Sequence, residues 1–113
     1  MKSITRIIFI DENGEKFFGE GPLRLLKLVD ETGSLKKASD EMGMAYTKAL
    51  KLLNHAEKAL GFKLTERKTG GSQGGGSYLT TEGKEWVDKY EQYRNACINA
   101  NSKLYLEFFE GNK

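Results

Sequence analysis

The chain has 113 residues, of which 38% are hydrophobic and 30% are charged, and this balance fits one globular domain rather than a disordered or fibrous protein. No apolar run approaches the roughly 18 residues of a membrane span, so we expect no membrane segment, and the single cysteine, Cys97, excludes an internal disulfide framework and suits the cytoplasm. The net charge is +2, but residues 34–71 alone carry +4. A polyanionic partner would therefore bind the middle of the chain. A basic surface that is only solvated would have the same charge, so this alternative stays open.

The first 18 residues predict a β-hairpin over residues 4–18. Its first half is rich in β-branched and aromatic side chains, and the sequence Asp-Glu-Asn-Gly at residues 11–14 is a turn signal. A first helix is predicted over about residues 22–32. Pro22 suits its first position, where the missing N–H costs nothing, and Gly33 suits its end.

Two further helices are predicted over about residues 34–42 and 45–60. Ser34 is a good N-cap for the first of them, and Gly43 allows a tight turn before the second. The second has an apolar face at helical spacing, and its other face carries Thr47, Lys48, Lys51, His55 and Lys58. This pattern is typical of a helix-turn-helix, whose second helix enters a DNA major groove. A plain three-helix bundle has the same pattern, so both interpretations stay open.

The segment that follows predicts a β-wing over residues 63–79. Two short strand-forming stretches flank a glycine-rich loop that cannot be helical. In winged helices such glycines let the main chain approach phosphates or the minor groove, and Arg67 and Lys68 add positive charge at the base. A hairpin tip without function gives the same pattern. A nucleotide-binding P-loop is rejected, because Gly76 stands at the position of its lysine and the loop joins two strands.

A long final helix is predicted over residues 81–110, in the same single domain as residues 1–80. Its apolar residues alternate spacings of four and three, which is a heptad pattern. These residues are Trp86, Tyr90, Tyr93, Cys97, Ala100 and Leu104. The stripe could pack on its own domain, but it is longer than a domain of this size needs. We therefore expect part of it to form the contact of a homodimer.

Catalytic and metal-binding motifs are not evident in the sequence. His55 is the only histidine and Cys97 the only cysteine, and they lie on different predicted helices. A zinc site of the usual Cys/His type cannot be built from them within one chain, and a packing role for Cys97 is better supported than a Cys–His nucleophilic pair. We expect no enzyme activity, no metal and no cofactor.

Several motifs occur together along the chain. They are Gly33-Ser34-Leu35, the turn Met42-Gly43-Met44-Ala45-Tyr46-Thr47-Lys48-Ala49, the glycine-rich loop from Thr69, and Leu79-Thr80 followed by Gly83. Over roughly residues 4–108 they resemble the N-terminal domain of molybdate-responsive (ModE-like) transcriptional regulators and, more loosely, the LysR-type DNA-binding domain. The family commonly has a serine where Ala45 stands, a basic residue where Thr47 stands and a tryptophan where Leu50 stands.

The resemblance implies a mainly helical α+β fold, a winged helix-turn-helix with an N-terminal β-hairpin, a three-helix core, a glycine-rich β-wing and a long C-terminal dimerisation helix. It implies a sequence-specific transcriptional regulator that binds double-stranded operator DNA as a homodimer. The alternative is a winged-helix protein-interaction module that does not bind DNA. Full molybdate regulators continue into β-barrel domains that hold the oxyanion, whereas this chain resembles the stand-alone members, so no molybdate is expected to bind to it.

The residues expected to contact DNA lie at the start of the third helix and in the wing. Thr47 and Lys48 would meet base edges, while Lys51, the base of the wing and its glycines would meet phosphates. The full set is Ser34, Ala45, Tyr46, Thr47, Lys48, Lys51, Arg67, Lys68, Thr69, Gly70, Gly71, Ser72 and Gln73.

Overall fold

The structure is a computed structural model that describes residues 1–68 and 76–110. In chain order the elements are β1 (Phe9–Ile10), β2 (Lys16–Phe18), α1 (Glu20–Thr32), α2 (Leu35–Glu41), α3 (Tyr46–Leu60), β3 (Thr65–Lys68), β4 (Gly76–Leu79) and α4 (Thr81–Tyr105), which continues into a π-helical turn (Leu106–Glu110). Strands β1 and β2 form one antiparallel sheet, and β3 and β4 form another. This confirms the predicted mainly helical α+β fold with an N-terminal hairpin and a wing.

The N-terminal hairpin is shorter than the predicted range of residues 4–18. Its two strands pair over only a few residues, with Phe9 opposite Phe18 and an irregular register next to Phe9. The reason is that α1 already begins at Glu20, so the second strand has no residues left with which to pair the start of the chain.

Residues 1–8 run along α4 instead of forming a strand. The Tyr90 hydroxyl donates to the Ile7 carbonyl oxygen at 2.7 Å, and the Tyr105 hydroxyl donates to the Met1 carbonyl oxygen at 2.9 Å. Side chains of α4 thus supply hydrogen bonds that a partner strand would otherwise provide.

Helix α1 begins at Glu20, two residues before the predicted start at Pro22. The first turn of a helix has N–H groups without an intrahelical acceptor, so a proline at the third position costs no hydrogen bond. The predicted end is confirmed, because Gly33 adopts the left-handed conformation with φ of 70°. Its N–H donates to the Val29 carbonyl oxygen at 2.8 Å.

Helices α2 and α3 form the predicted helix-turn-helix. The Ser34 hydroxyl accepts a hydrogen bond from the Lys37 N–H at 3.1 Å, which confirms Ser34 as the N-cap of α2. Gly43 makes the turn with φ of 65°, a value that favours glycine. Helix α3 then buries one face, formed by Ala49, Leu53 and Ala56.

The base of the wing is fixed to the turn between α1 and α2. The Ser77 N–H on β4 donates to the Gly33 carbonyl oxygen at 2.8 Å. A Cβ atom on Gly76 would lie 2.6 Å from the same oxygen, so only glycine allows this close approach. The wing therefore has a set position relative to α2.

The buried core joins the hairpin, all four α-helices and the wing. Its largest fully buried hydrophobic side chains are Phe18, Leu25, Leu26, Val29, Leu53, Leu64 and Tyr90. The Tyr90 ring lies 5.0 Å from the ring of Phe18 and 5.9 Å from that of Phe9, between centroids. Burial, followed by the nearby Glu20 carboxylate, raises the pKa of the Tyr90 hydroxyl to about 12.

Beyond Tyr90, helix α4 projects away from the core. The chain measures 65 × 29 × 25 Å along its principal axes. Its projecting part exposes large apolar side chains, namely Tyr93, Ile98, Leu104, Leu106, Phe108 and Phe109. Among residues 1–68 and 76–110, no helix has the length and apolar character needed to cross a membrane.

Helix α4 starts at a buried hydroxyl group. The Thr80 hydroxyl accepts from the Gly83 N–H at 2.9 Å and donates to the Lys63 carbonyl oxygen at 2.6 Å. It therefore caps α4 and also ties the helix to the segment before β3.

We expect Thr80→Ala to lower the free energy of unfolding by about 1–3 kcal/mol, because it leaves a helix N–H and a carbonyl oxygen without their partner. Urea denaturation followed by circular dichroism measures the change. Thr80→Ser keeps the hydroxyl and is the matched control. An equal loss in both variants would assign the effect to the methyl group and contradict the capping argument.

Candidate nucleic-acid interface

The outer face of α3 presents short polar and basic side chains. Thr47, Lys48 and Lys51 are exposed, because Ala49, Leu53 and Ala56 turn the other face of the helix into the core. Ala45, the N-cap residue before the helix, is exposed as well. Tyr46 is half-buried and packs against the core. The first two turns of the helix thus carry four of the five sequence-predicted α3 residues on one accessible surface.

The first strand of the wing adds two exposed cations, Arg67 and Lys68. Arg67 and Asn54 line the same groove, which separates β3 from α3. The Lys68 Nζ atom lies 5.8 Å from the centre of the Tyr78 ring. The Tyr78 hydroxyl in turn donates to Glu66 at 2.9 Å, which raises the pKa of that hydroxyl. Across the shared groove, β3 faces α3, the helix that carries Lys51.

Ser34 lies beside the base of the wing. It follows Gly33, whose carbonyl oxygen accepts the hydrogen bond from β4, and it is half-buried as the cap of α2. The remaining predicted wing contacts, Thr69, Gly70, Gly71, Ser72 and Gln73, lie outside the described residues.

Two acidic groups of α2 and α3 have partners other than these cations. Glu57 of α3 accepts the Leu64 N–H at 2.7 Å and lies 4.0 Å from the Lys63 ammonium. Asp40 of α2 pairs with Lys36 at 2.8 Å. In the described part of the chain, the ion pairs include none of Lys48, Lys51, Arg67 and Lys68. Their positive charge is thus available to a partner.

The predicted stripe on α4 divides into two parts. Trp86 is half-buried and Tyr90 is only 1% exposed, and both pack against Phe9 and Phe18 of the hairpin. The distal members are more accessible: Cys97 is half-buried, and Tyr93, Ala100 and Leu104 are exposed. The stripe is therefore accessible to solvent from Tyr93 onwards.

The structure also brings together a cluster that the sequence did not single out. Ligand atoms of Asp11, Glu15 and His55 all lie within 4.8 Å of one another. The His55 Nε2 atom is 3.2 Å from an Asp11 carboxylate oxygen. Two hydrogen bonds lower the pKa of the Asp11 carboxyl. The one from the Glu15 N–H has the larger effect, and the one from His55 has the smaller effect. The sequence signal in this region was the turn at residues 11–14, and a turn signal does not predict which distant side chain contacts the turn.

Comparison with known proteins identifies a protein family whose members resemble the helix-turn-helix and the wing of this chain. Residues 22–84 match the family of bacterial regulatory helix-turn-helix proteins of the lysR type. The chain is also 31% identical over 91 residues to the transcriptional regulator ModE of Haemophilus influenzae, which covers 80% of this chain and 36% of that protein. It is 32% identical over 69 residues to the DNA-binding transcriptional dual regulator ModE of Escherichia coli, which covers 61% of this chain and 26% of that protein. The chain thus spans about a third or less of these relatives.

Proposed function

The chain belongs to the lysR family of bacterial regulatory helix-turn-helix proteins, and from this membership we propose that it is a transcriptional regulator that binds double-stranded DNA in a sequence-specific manner. Its ModE relatives are named as transcriptional regulators. Bacterial DNA is cytoplasmic, so the protein acts in the cytoplasm. The proposal assigns no enzymatic reaction to it.

In the proposed complex the start of α3 enters the major groove. Thr47 and Lys48 contact base edges beside Ala45, and half-buried Tyr46 holds the helix against the core. The phosphate contacts come from Lys51 on the same face of α3. Further phosphate contacts come from Ser34 beside the wing. The wing itself supplies phosphate contacts from Arg67, Lys68 and the loop residues Thr69, Gly70, Gly71, Ser72 and Gln73.

The observation that carries this proposal is the exposed group of cations shared by α3 and the wing. Lys48 and Lys51 lie on the helix and Arg67 on the strand across the groove, and none of them takes part in an ion pair of the described residues. A surface of this kind neutralises phosphates and releases their counterions, which gives affinity for DNA.

Fluorescence anisotropy tests the function directly. The probe is a duplex from the promoter region of the protein's own gene, compared with a scrambled duplex over a series of salt concentrations. We expect tighter binding to the native duplex, with an affinity that falls steeply as salt rises. Absence of binding even at low salt would contradict the proposal and favour a winged-helix module whose basic face meets an acidic protein.

We further propose that the protein works as a homodimer. Residues 81–110 provide the contact, and residues 1–80 form the part that binds DNA. Support comes from the exposed apolar side chains of the projecting end of α4, among them Tyr93 and Leu104, each 51% exposed. A two-fold pair of these helices would bury them and place two α3 helices on paired half-sites.

The double substitution Tyr93→Asp and Leu104→Asp is expected to raise the dimer dissociation constant roughly 100-fold, because it buries carboxylates without partners in an apolar contact. Light scattering over a concentration series measures this change. Asn99→Asp is the control, since it adds a charge about 140° around the helix from Leu104. A wild-type protein that remains monomeric at high micromolar concentration would refute the dimer.

A further inference from the structure

Three side chains with metal-ligand chemistry meet where the N-terminal hairpin contacts α3. Asp11 and Glu15 border the turn between β1 and β2, and His55 projects from α3 into the same surface cavity. Their ligand atoms lie within 4.8 Å of one another. None of the three belongs to the proposed DNA interface, so the function proposed above leaves this cluster unexplained.

The separation of two of these atoms suits a shared ion. Two ligands that each lie about 2.0–2.2 Å from one tetrahedral or octahedral cation are about 3.0–3.5 Å apart. The His55 Nε2 atom and the Asp11 Oδ2 atom are 3.2 Å apart. An ion could therefore replace the hydrogen bond between them without any movement of α3 relative to the turn. The Glu15 side chain is exposed, so it is free to rotate and supply the third ligand of the ion.

The Asp11 carboxylate is already oriented for this role. Its Oδ1 atom accepts the N–H groups of Asn13 and Glu15, each at 2.9 Å, which leaves Oδ2 directed at His55. Hydrogen bonds to the outer oxygen of a ligating carboxylate are the usual means by which proteins fix its direction. The turn itself is held by a hydrogen bond from the Asp11 N–H to the Glu15 carbonyl oxygen at 2.8 Å.

We propose that Asp11, Glu15 and His55 form a binding site for a divalent first-row transition-metal ion. One imidazole and two carboxylates suit Mn²⁺, Fe²⁺, Co²⁺ or Zn²⁺, whereas Cu⁺ prefers the thiolate and thioether ligands that this set lacks. Three protein ligands leave the remaining positions to water. The bound ion would join the hairpin turn to α3, the helix that also carries the proposed DNA contacts.

Titration of the tag-free protein with Co²⁺ tests the site without DNA. We expect one equivalent to bind and to give visible ligand-field absorption. His55→Ala and Asp11→Asn should each raise the dissociation constant about tenfold or more, since each removes or weakens a direct ligand. Glu12→Gln is the matched control, because this exposed carboxylate lies in the same turn and lines the same cavity but is outside the cluster. Lys58→Gln should tighten binding, since the Lys58 ammonium lines that cavity and repels a cation.

A second measurement needs no substitution at the site. Mn²⁺ should broaden amide resonances most strongly around residues 11–15 and His55 in the NMR spectrum of the wild-type protein. Co²⁺ binding with unchanged affinity in His55→Ala, or binding that disappears in Cys97→Ser, would overturn the assignment. Absence of binding at millimolar Co²⁺ would do the same and leave the His55–Asp11 contact as an ordinary hydrogen bond. Any of these results leaves the DNA proposal unaffected.

Discussion

The combined substitution Lys48→Ala and Lys51→Ala is expected to weaken operator binding roughly 100-fold at moderate salt. Each half-site would be without a base interaction worth about 1–3 kcal/mol and without a phosphate interaction, and the proposed dimer has two half-sites. The slope of log affinity against log salt should also become shallower by about 0.9 for each phosphate that the variant no longer neutralises. Both quantities come from anisotropy titrations with the native and the scrambled duplex.

The control for this pair is Lys84→Ala with Lys89→Ala. Both lysines are exposed on α4, so the variant changes the net charge by the same amount on a different helix. Long-range charge effects are screened within about 10 Å at ordinary salt, and we expect this variant to bind almost as the wild type does. Equal weakening in the two variants would show that only overall charge matters. Unchanged affinity in the α3 variant would remove that helix from the interface.

Gly83→Ala is expected to destabilise the fold by about 2–4 kcal/mol, even though alanine is the better helix former by about 1 kcal/mol. A Cβ atom at this position would lie 2.3 Å from the Leu64 carbonyl oxygen and 3.1 Å from the Thr80 hydroxyl oxygen. The backbone fixes the position of both the added Cβ atom and the Leu64 carbonyl oxygen, so no side-chain rotation relieves the first contact. Helix α4 must move away from β3, and this movement also weakens the cap.

Urea denaturation measures this effect, and the melting temperature should fall by roughly 10 °C or more. The matched control is Gly21→Ala, which also lies in the first turn of a helix but where an added Cβ has no atom within 4 Å. We expect that variant to be as stable as the wild type or slightly more stable. Similar stability changes in both variants would contradict the steric argument.

Features set by local chemistry were predicted well from the sequence. The Ser34 cap and the left-handed Gly33 depend on residues within four positions of one another, and the structure has both. The helix-turn-helix follows in the same way, because the period of the apolar residues in α3 fixes which side chains face outward.

Features set by distant parts of the chain were predicted less well. The extent of the first strand depended on where α1 begins, and that start did not coincide with Pro22. The heptad spacing identified one face of α4 but not what covers it, and Phe9 and Phe18 cover the part at Tyr90. The contact of Asp11 with His55 joins residues 44 positions apart, and no local rule brings such a pair together.

The hydrogen bond from Ser77 to the Gly33 carbonyl oxygen has a thermodynamic consequence for the proposed complex. It joins the base of the wing to the peptide that precedes α2, so two separate elements of the proposed DNA-binding surface keep one relative arrangement before DNA binds. The conformational entropy of aligning them is lost during folding rather than during association. This part of the surface is preorganised, and its affinity for DNA carries no penalty for bringing the helix and the base of the wing together.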